Sequence, residues 1–389
     1  MTGHKKIPRV TVLVPTYNRA NFLAECLDSL FSQTLLPEQV IVVNDGSTDG
    51  TAKILEGYRG KIDIFQVNRQ GKSVSINRGL SEVRGDYVWI FDDDDVALPD
   101  ALERLVKPLE KDGALGFSYC RYYYTATQPD SHKIGRIISA EKKPDLKKRG
   151  FLIPLLEANV LGGAALFART ACYQTVGHFD PKLVRSQDYE MAIRIARRFQ
   201  GESVEGGPTF HYRQHGGARG DERDRFLSGL RLDKWREYDQ MIFRALYREL
   251  SLEDYLPPGT SLEGHERQAR LQRMVIMAGK LLNEEVLKDA ALLGASGAHP
   301  FSGREKELLR SLVSPPYYEA GSLLEVPSFF RDFMSAVSAS GQGERIRAEL
   351  YRGLVQAFMR SPGRRRWGVV LRVGRLLGSP SSTWYSKEL

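Results

Sequence analysis

Four aspartates in a row, Asp92-Asp93-Asp94-Asp95, follow the apolar run Tyr87-Val88-Trp89-Ile90-Phe91. Adjacent carboxylates repel and raise one another's pKa, so a fold keeps them together only with compensating charge. A divalent cation compensates directly: Mg2+ or Mn2+ takes one or two carboxylates, several waters and the oxygens of a substrate phosphate. A strand end would fix those carboxylates on a rigid element. The plain alternative is an exposed acidic turn ahead of the helix that Pro99 opens.

Four further segments carry groups of the right type. In Asp45-Gly46-Ser47-Thr48-Asp49 the glycine permits a tight turn, Asp45 can accept hydrogen bonds from a ribose or base edge, and Ser47, Thr48 or Asp49 can cap a helix. Asn68-Arg69-Gln70-Gly71-Lys72-Ser73 places Lys72 at a helix start, where backbone N–H groups favour a diphosphate. Its Gly71-Lys72-Ser73 ends like a P-loop, but the earlier glycine of that motif is missing, so a P-loop is rejected. Ser186-Gln187-Asp188-Tyr189-Glu190-Met191 opens a helix with acids in its first turn, which the helix dipole favours in any protein. His211-Tyr212-Arg213-Gln214-His215 offers imidazoles and a guanidinium for metal or phosphate, or for purely structural contacts.

The elements that must position these groups alternate. Val10 to Val14, Val40 to Val43, Ile62 to Val67 and Tyr87 to Phe91 read as strands. Helical patterns follow them from Asn21, from about Asp49, from Ser73 to Val83 and after Pro99. This order predicts an α/β fold with a mostly parallel sheet and helices on both faces. Ligands of such sheets sit at the carboxyl ends of strands, which gathers Pro15 to Tyr17, Asp45 and the aspartate run into one place. From Phe117 to Lys148 the pattern is irregular, with the aromatic run Tyr119, Tyr122, Tyr123 and Tyr124, and reads as a loop-rich acceptor-side region.

Past about Asp221 only helical periodicity remains. Tyr238, Met241, Ile242, Ala245 and Leu246 share one face; Leu271, Met274, Val275, Ala278, Leu281 and Leu282 another; Ile346, Leu350, Leu354 and Phe358 a third. The expected division is a domain over 1–220 and a helical one over 221–389.

Composition narrows the classes. The 389 residues suit two domains, and three scattered cysteines exclude a disulfide framework or a zinc site and favour a reducing compartment. A net charge of +8 suits nucleotides, phospholipids or phosphorylated glycans, and equally a merely soluble protein. No signal peptide and no transmembrane stretch is read, so the expected place is the cytoplasm.

Taken in order, Val12-Leu13-Val14-Pro15-Thr16-Tyr17-Asn18-Arg19, Val42 to Asp49, Gly71-Lys72 through Asn77, Phe91 to Asp95, Gly162-Gly163-Ala164 with Gly177-His178-Phe179-Asp180, and Gln187-Asp188 resemble the inverting family-2 glycosyltransferases of the GT-A fold. The resemblance covers roughly residues 8 to 220. It implies a nucleotide-diphosphate sugar as donor, most commonly UDP-linked, a Mn2+ or Mg2+ cofactor, and a glycan or lipid-linked acceptor in cell-surface polysaccharide synthesis, with no nucleic acid. It implies that Pro15 and Tyr17 line the nucleobase pocket, that Asp45 binds base or ribose, and that Lys72 approaches the diphosphate. Asp92 and Asp94 become the ends of an Asp-x-Asp motif, with Asp93 on the donor side and Asp94 the direct metal ligand. Asp188 becomes the catalytic base, with Glu190 in reserve. Arg213 and His215 match a Tyr-Arg-x-His segment closing over diphosphate or metal. Gln187 departs from the family, which often has an acid there. The Gln-x-x-Arg-Trp motif of processive synthases is absent, which favours single-sugar transfer.

Two other classes compete. One is a nucleotide-sugar-binding scaffold subunit with impaired catalysis, hinted at by Gln187; the other is a nucleotidyltransferase, which would carry a Gly-rich basic loop where Pro15-Thr16-Tyr17-Asn18 stands. Finally, Arg364-Arg365-Arg366-Trp367 leads into Val369, Val370, Leu371, Val373, Leu376 and Leu377, with most arginines opposite the apolar arc. Such a basic amphipathic helix over 361–378 suits an anionic membrane surface, or packing on its own domain or on a second subunit.

Overall fold

The computed structural model describes residues 7–141, 150–215, 231–294, 299–313, 327–338 and 342–360. The chain divides into two compact units: residues 1–155 with 159–231, and residues 156–158 with 232–389.

In the first unit the strands are β1 (Val10–Thr16), β2 (Gln39–Asn44), β3 (Asp63–Gln66), β4 (Tyr87–Ile90), β5 (Val96–Ala97), β6 (Leu115–Tyr119), β7 (Tyr122–Thr127), β8 (Ile134–Ala140), β9 (Leu166–Arg169), β10 (Gln200–Ser203) and β11 (Phe210–Gln214). Seven of them form a sheet in the order β10-β6-β9-β4-β1-β2-β3. β1 lies parallel to both β2 and β4, and every residue of β1 and β2 is buried. That burial explains the unbroken apolar runs at these positions: a strand covered on both faces needs no polar alternation. The sheet is mixed, because β9 runs antiparallel between β4 and β6.

The helices of this unit are α1 (Leu23–Phe31), α2 (Thr51–Glu56), α3 (Lys72–Leu80), α4 (Ala101–Lys111), α5 (Leu152–Glu157), α6 (Thr170–Val176) and α7 (Gln187–Arg198). On α4, Ala101, Leu102, Leu105, Val106 and Leu109 form the buried stripe. α3 lies so close to the sheet that a Cβ on Gly79 would collide with Leu13 Cδ1.

The region read as loop-rich is instead strand: β6, β7 and β8 occupy much of 115–140. Aromatic and β-branched side chains suit a pleated, half-buried surface, and the tyrosine run is that surface. β5, β11, β7 and β8 form a second, four-stranded sheet in that order.

The second unit holds α8 (Arg231–Glu249), α9 (Glu266–Gly279), α10 (Asn283–Gly294), α11 (Gly303–Ser311), α12 (Pro327–Ser338) and α13 (Gly343–Arg360). α9 is its centre, buried from Leu271 through Ala278. Asp289 on α10 is fully buried and accepts hydrogen bonds from Arg270 and Arg273, which neutralise it. The face read for α8 shifts: Ile242, Phe243 and Leu246 are buried, whereas Met241 is exposed. No helix among the described residues is long and apolar enough to cross a membrane. The basic segment 361–378 lies outside the described residues.

Candidate active site

β1, β2 and β4 end side by side, and their following loops carry the groups singled out above. The loops after β1 and β2 are sewn together: Asn18 N donates to Ser47 Oγ, Thr48 N to Asn18 Oδ1, and Ala20 N to Asp49 Oδ2. Asn18 takes a left-handed backbone (φ 52°) to make these bonds, a conformation asparagine tolerates well. Pro15 is buried inside β1 opposite Val43, and Tyr17 is half-buried with the Arg69 guanidinium 5.3 Å over its ring.

Asp45 is buried and receives two backbone donors, Gln70 N at 2.7 Å and Gly71 N at 2.8 Å, one on each carboxylate oxygen. Those bonds fold the 68–71 loop over the end of β2. Gly71 adopts φ 95° just before α3, so Lys72 becomes the first residue of that helix. Lys72 Nζ reaches Asp92 Oδ1 at 2.5 Å. Burial works against its charge, but Asp92, Asp188 and Asp93 outweigh it and hold the ammonium above the ordinary lysine range.

Each of the four aspartates has its own surroundings. The Asp93 carboxylate pairs with Arg19 Nε at 3.5 Å; burial, opposed by Arg19 and reinforced by Asp94, pushes it up to about 7. Asp94 Oδ2 meets His215 Nε2 at 2.9 Å, and Asp95 Oδ1 accepts Arg213 N at 2.9 Å. Asp92, Asp94 and Asp95 each offer one oxygen, all within 4.8 Å of one another. This all-oxygen donor set fits a hard divalent cation of the Mg2+ or Mn2+ kind. The ligand set read from sequence was Asp92, Asp94 and His215; the structure groups Asp95 with the first two and turns His215 to Asp94 as a hydrogen-bond partner.

The second sheet explains that neighbourhood. β5 follows the aspartates directly and pairs antiparallel with β11, Phe210 opposite Ala97 and His211 opposite Val96. The register brings Arg213 and His215 to the acidic loop. Arg213, read from the sequence as closing over diphosphate or metal, lies beside that loop. Its side chain is fully buried and donates to the carbonyl oxygens of Asp94 and His132 and to Glu25 Oε2, with the Phe22 ring 5.0 Å below. Replacing Arg213 with Ala is expected to cost about 3 kcal/mol of stability, since it leaves buried acceptors without their donor. Urea denaturation of the two proteins measures this, and an unchanged midpoint would contradict the structural role.

Asp188 arrives from elsewhere. Asn77 on α3 clasps Phe179, donating to its carbonyl and accepting from its N–H, and Ser73 Oγ donates to Leu183 O. The chain then turns through Ser186 (φ 56°) into α7, where Asp188 lies in the first turn with Oδ1 accepting Tyr189 N. Burial raises the Asp188 pKa, with Lys72 pulling it down and Asp92 adding to the rise. Glu190, the reserve base, has both oxygens bonded to Arg194.

Asp92 and Asp188 converge on Gly163. A Cβ there would stand 2.9 Å from Asp92 Oδ2 and 3.5 Å from Asp188 Oδ2. The turn is held from below, Trp89 Nε1 donating to Ala164 O at 2.7 Å. Arg19, Asp95 and Gly163 are the members of this constellation that sequence reasoning left without a role. Their only signals were membership of the Pro15–Arg19 segment, fourth place in the aspartate run, and a Gly-Gly pair.

The sequence profile of Glycosyl transferase family 2 matches residues 11–175. An uncharacterized glycosyltransferase of Rickettsia typhi is 30% identical over 191 residues, 49% of this chain and 59% of that protein. The chondroitin synthase of Pasteurella multocida is 28% identical over 195 residues, 49% of this chain and 19% of that protein. The chain thus spans less than two thirds of either relative. Among solved structures, S. aureus TarS 1-349 in complex with UDP-GlcNAc superposes with a TM-score of 0.53 at 16% identity, covering 87% of this chain and 90% of that one. That likeness extends over the fold.

Proposed function

We propose, from the match of the Glycosyl transferase family 2 profile to residues 11–175, that the chain is a metal-dependent inverting transferase moving a sugar from a nucleoside-diphosphate donor to a hydroxyl of a glycan acceptor. The observation that carries the proposal is the convergence of Asp92 and Asp188 over the side-chainless Gly163, with Lys72 on the far oxygen of Asp92. One acidic group belongs to the loop fit for a cation and the other to the start of α7, so two roles are separated in space.

Asp92, Asp94 and Asp95 hold the divalent ion. When bound, it offsets the negative charge on the departing nucleoside diphosphate. Lys72, at the start of α3, adds a positive charge and helix N–H groups for the same phosphates. Pro15, Tyr17 and Asp45 border the base and ribose. Asp45 keeps lone pairs for them while it anchors Gln70 and Gly71.

Asp188 Oδ2 takes the proton of the acceptor hydroxyl as its oxygen bonds to the anomeric carbon. The bond from that carbon to the phosphate oxygen breaks, its electron pair leaves with the diphosphate, and configuration inverts. Gln187 is buried ahead of Asp188 and leaves the base free to face Gly163, which favours an active enzyme over a catalytically impaired scaffold.

A base must be ionised to act, so turnover rises with pH through the Asp188 pKa. Since Lys72 holds that pKa down, Lys72→Met is expected to move the acidic limb of the kcat profile to higher pH. An acidic limb unmoved in the variant would break the Lys72–Asp188 coupling. The direct test of the function is thermal denaturation with a panel of nucleotide sugars, with and without Mn2+. A UDP-sugar is the first choice because TarS was crystallised with UDP-GlcNAc. A donor at 100 times its Kd should stabilise by about 2.7 kcal/mol. Absence of any shift across the panel would end the proposal.

A further inference from the structure

We propose that Tyr124 and Tyr212, braced by Tyr122, form an aromatic subsite that stacks a pyranose ring of the acceptor beside Asp188. The inference rests on the transferase reading above and names its acceptor chemistry.

Tyr122 and Tyr124 alternate on β7 and so share one face, and Tyr212 on β11 stands in register opposite Tyr124. The ring centroids lie 5.2 Å apart for Tyr122 and Tyr124, 5.3 Å for Tyr122 and Tyr212, and 5.8 Å for Tyr124 and Tyr212. Tyr122 is buried against Phe210, which packs on Trp89. The other two rings are half-buried. A phenol presents an apolar face and a polar edge, which matches the C–H face and hydroxyl rim of a sugar.

The glycine pair ties this cluster to the reacting groups. A Cβ on Gly162 would lie 2.8 Å from the Tyr122 hydroxyl, just as one on Gly163 would meet Asp92 and Asp188. Consecutive Cα atoms are about 3.8 Å apart, so Tyr122 and the two carboxylates flank a single short stretch of bare backbone, and Tyr124 adjoins it through its hydroxyl, 3.3 Å from that of Tyr122. An acceptor hydroxyl placed at Asp188 has the rest of its ring directed along that stretch toward the tyrosines. The donor belongs on the other side: Lys72 binds Oδ1 of Asp92, whereas Gly163 faces Oδ2.

Saturation-transfer NMR with the full chain, Mn2+ and UDP tests the subsite, using methyl glucoside, galactoside, mannoside and N-acetylglucosaminide as probes. At least one glycoside is expected to receive transfer on one ring face. Tyr124→Ala and Tyr212→Ala should each weaken its binding about five- to tenfold, and Tyr→Phe at either position by no more than about twofold. UDP binding should be unchanged in the Ala variants, which separates loss of the ring from loss of fold. The subsite is refuted if UDP binds but no glycoside does, or if the Ala variants bind a glycoside as well as the parent. Failure of UDP to bind the parent would instead sink the donor reading, while loss of glycoside binding in the Ala variants would still stand for the subsite.

Discussion

Asp188→Asn is expected to lower turnover by about 10²–10⁴-fold while donor affinity stays within about twofold. The asparagine amide keeps the size of the carboxylate and cannot take a proton, so what disappears is the base. In the proposed role of Asp188, its Oδ1 is fixed by the Tyr189 N–H and its Oδ2 faces the space over Gly163. Glu190 cannot stand in readily, because Arg194 holds both of its oxygens and also donates to the carbonyls of Val176 and His178. Steady-state kinetics beside calorimetric titration of the donor makes the measurement. A variant with near-parental turnover would remove Asp188 from the mechanism; one that loses donor binding as well would place Asp188 in the donor site.

Asp94→Ala is expected to abolish the stabilisation that Mn2+ and a nucleotide sugar produce together. At 100 times Kd that stabilisation is about 2.7 kcal/mol, or roughly 5–11 °C in the midpoint of a domain this size. The variant removes one of three oxygens grouped for the cation and also the partner of His215 Nε2. The comparison to make is the midpoint shift with donor alone against donor plus Mn2+, in both proteins. A Mn2+-dependent shift of full size in Asp94→Ala would take Asp94 out of the cation site and leave Asp92 and Asp95 to be tested in turn.

The two variants separate binding from chemistry, and the arrangement of charges makes that separation possible. Lys72 links the two regions through Asp92, so its loss should register in both, in affinity for the diphosphate and in the pH at which Asp188 ionises. Arg213 should register in neither directly: it supports the acidic loop from beneath, and its removal appears first as lost stability.

The sequence alone determined the alternation of strands and helices, the aspartates after β4, the Asp45 turn and the helix start at Asp188. These follow from near neighbours: side-chain period, turn residues and caps act over a few positions, so they are written locally. Only the tertiary structure decided what faces what. Arg213 lies 118 residues from Asp95, and its burial depends on the pairing of β5 with β11. The same pairing sets His215 against Asp94 while Asp95 joins the group of oxygens fit for a cation, and β7 and β8 turned an apparent loop into a sheet whose Tyr122 lies against Gly162. On α8, helical period marks an apolar arc but not where a neighbour covers it, so Met241 is exposed and Phe243 buried. Contacts between distant segments leave no periodic trace in a single chain, because each partner is compatible with many others until the backbone brings one of them near.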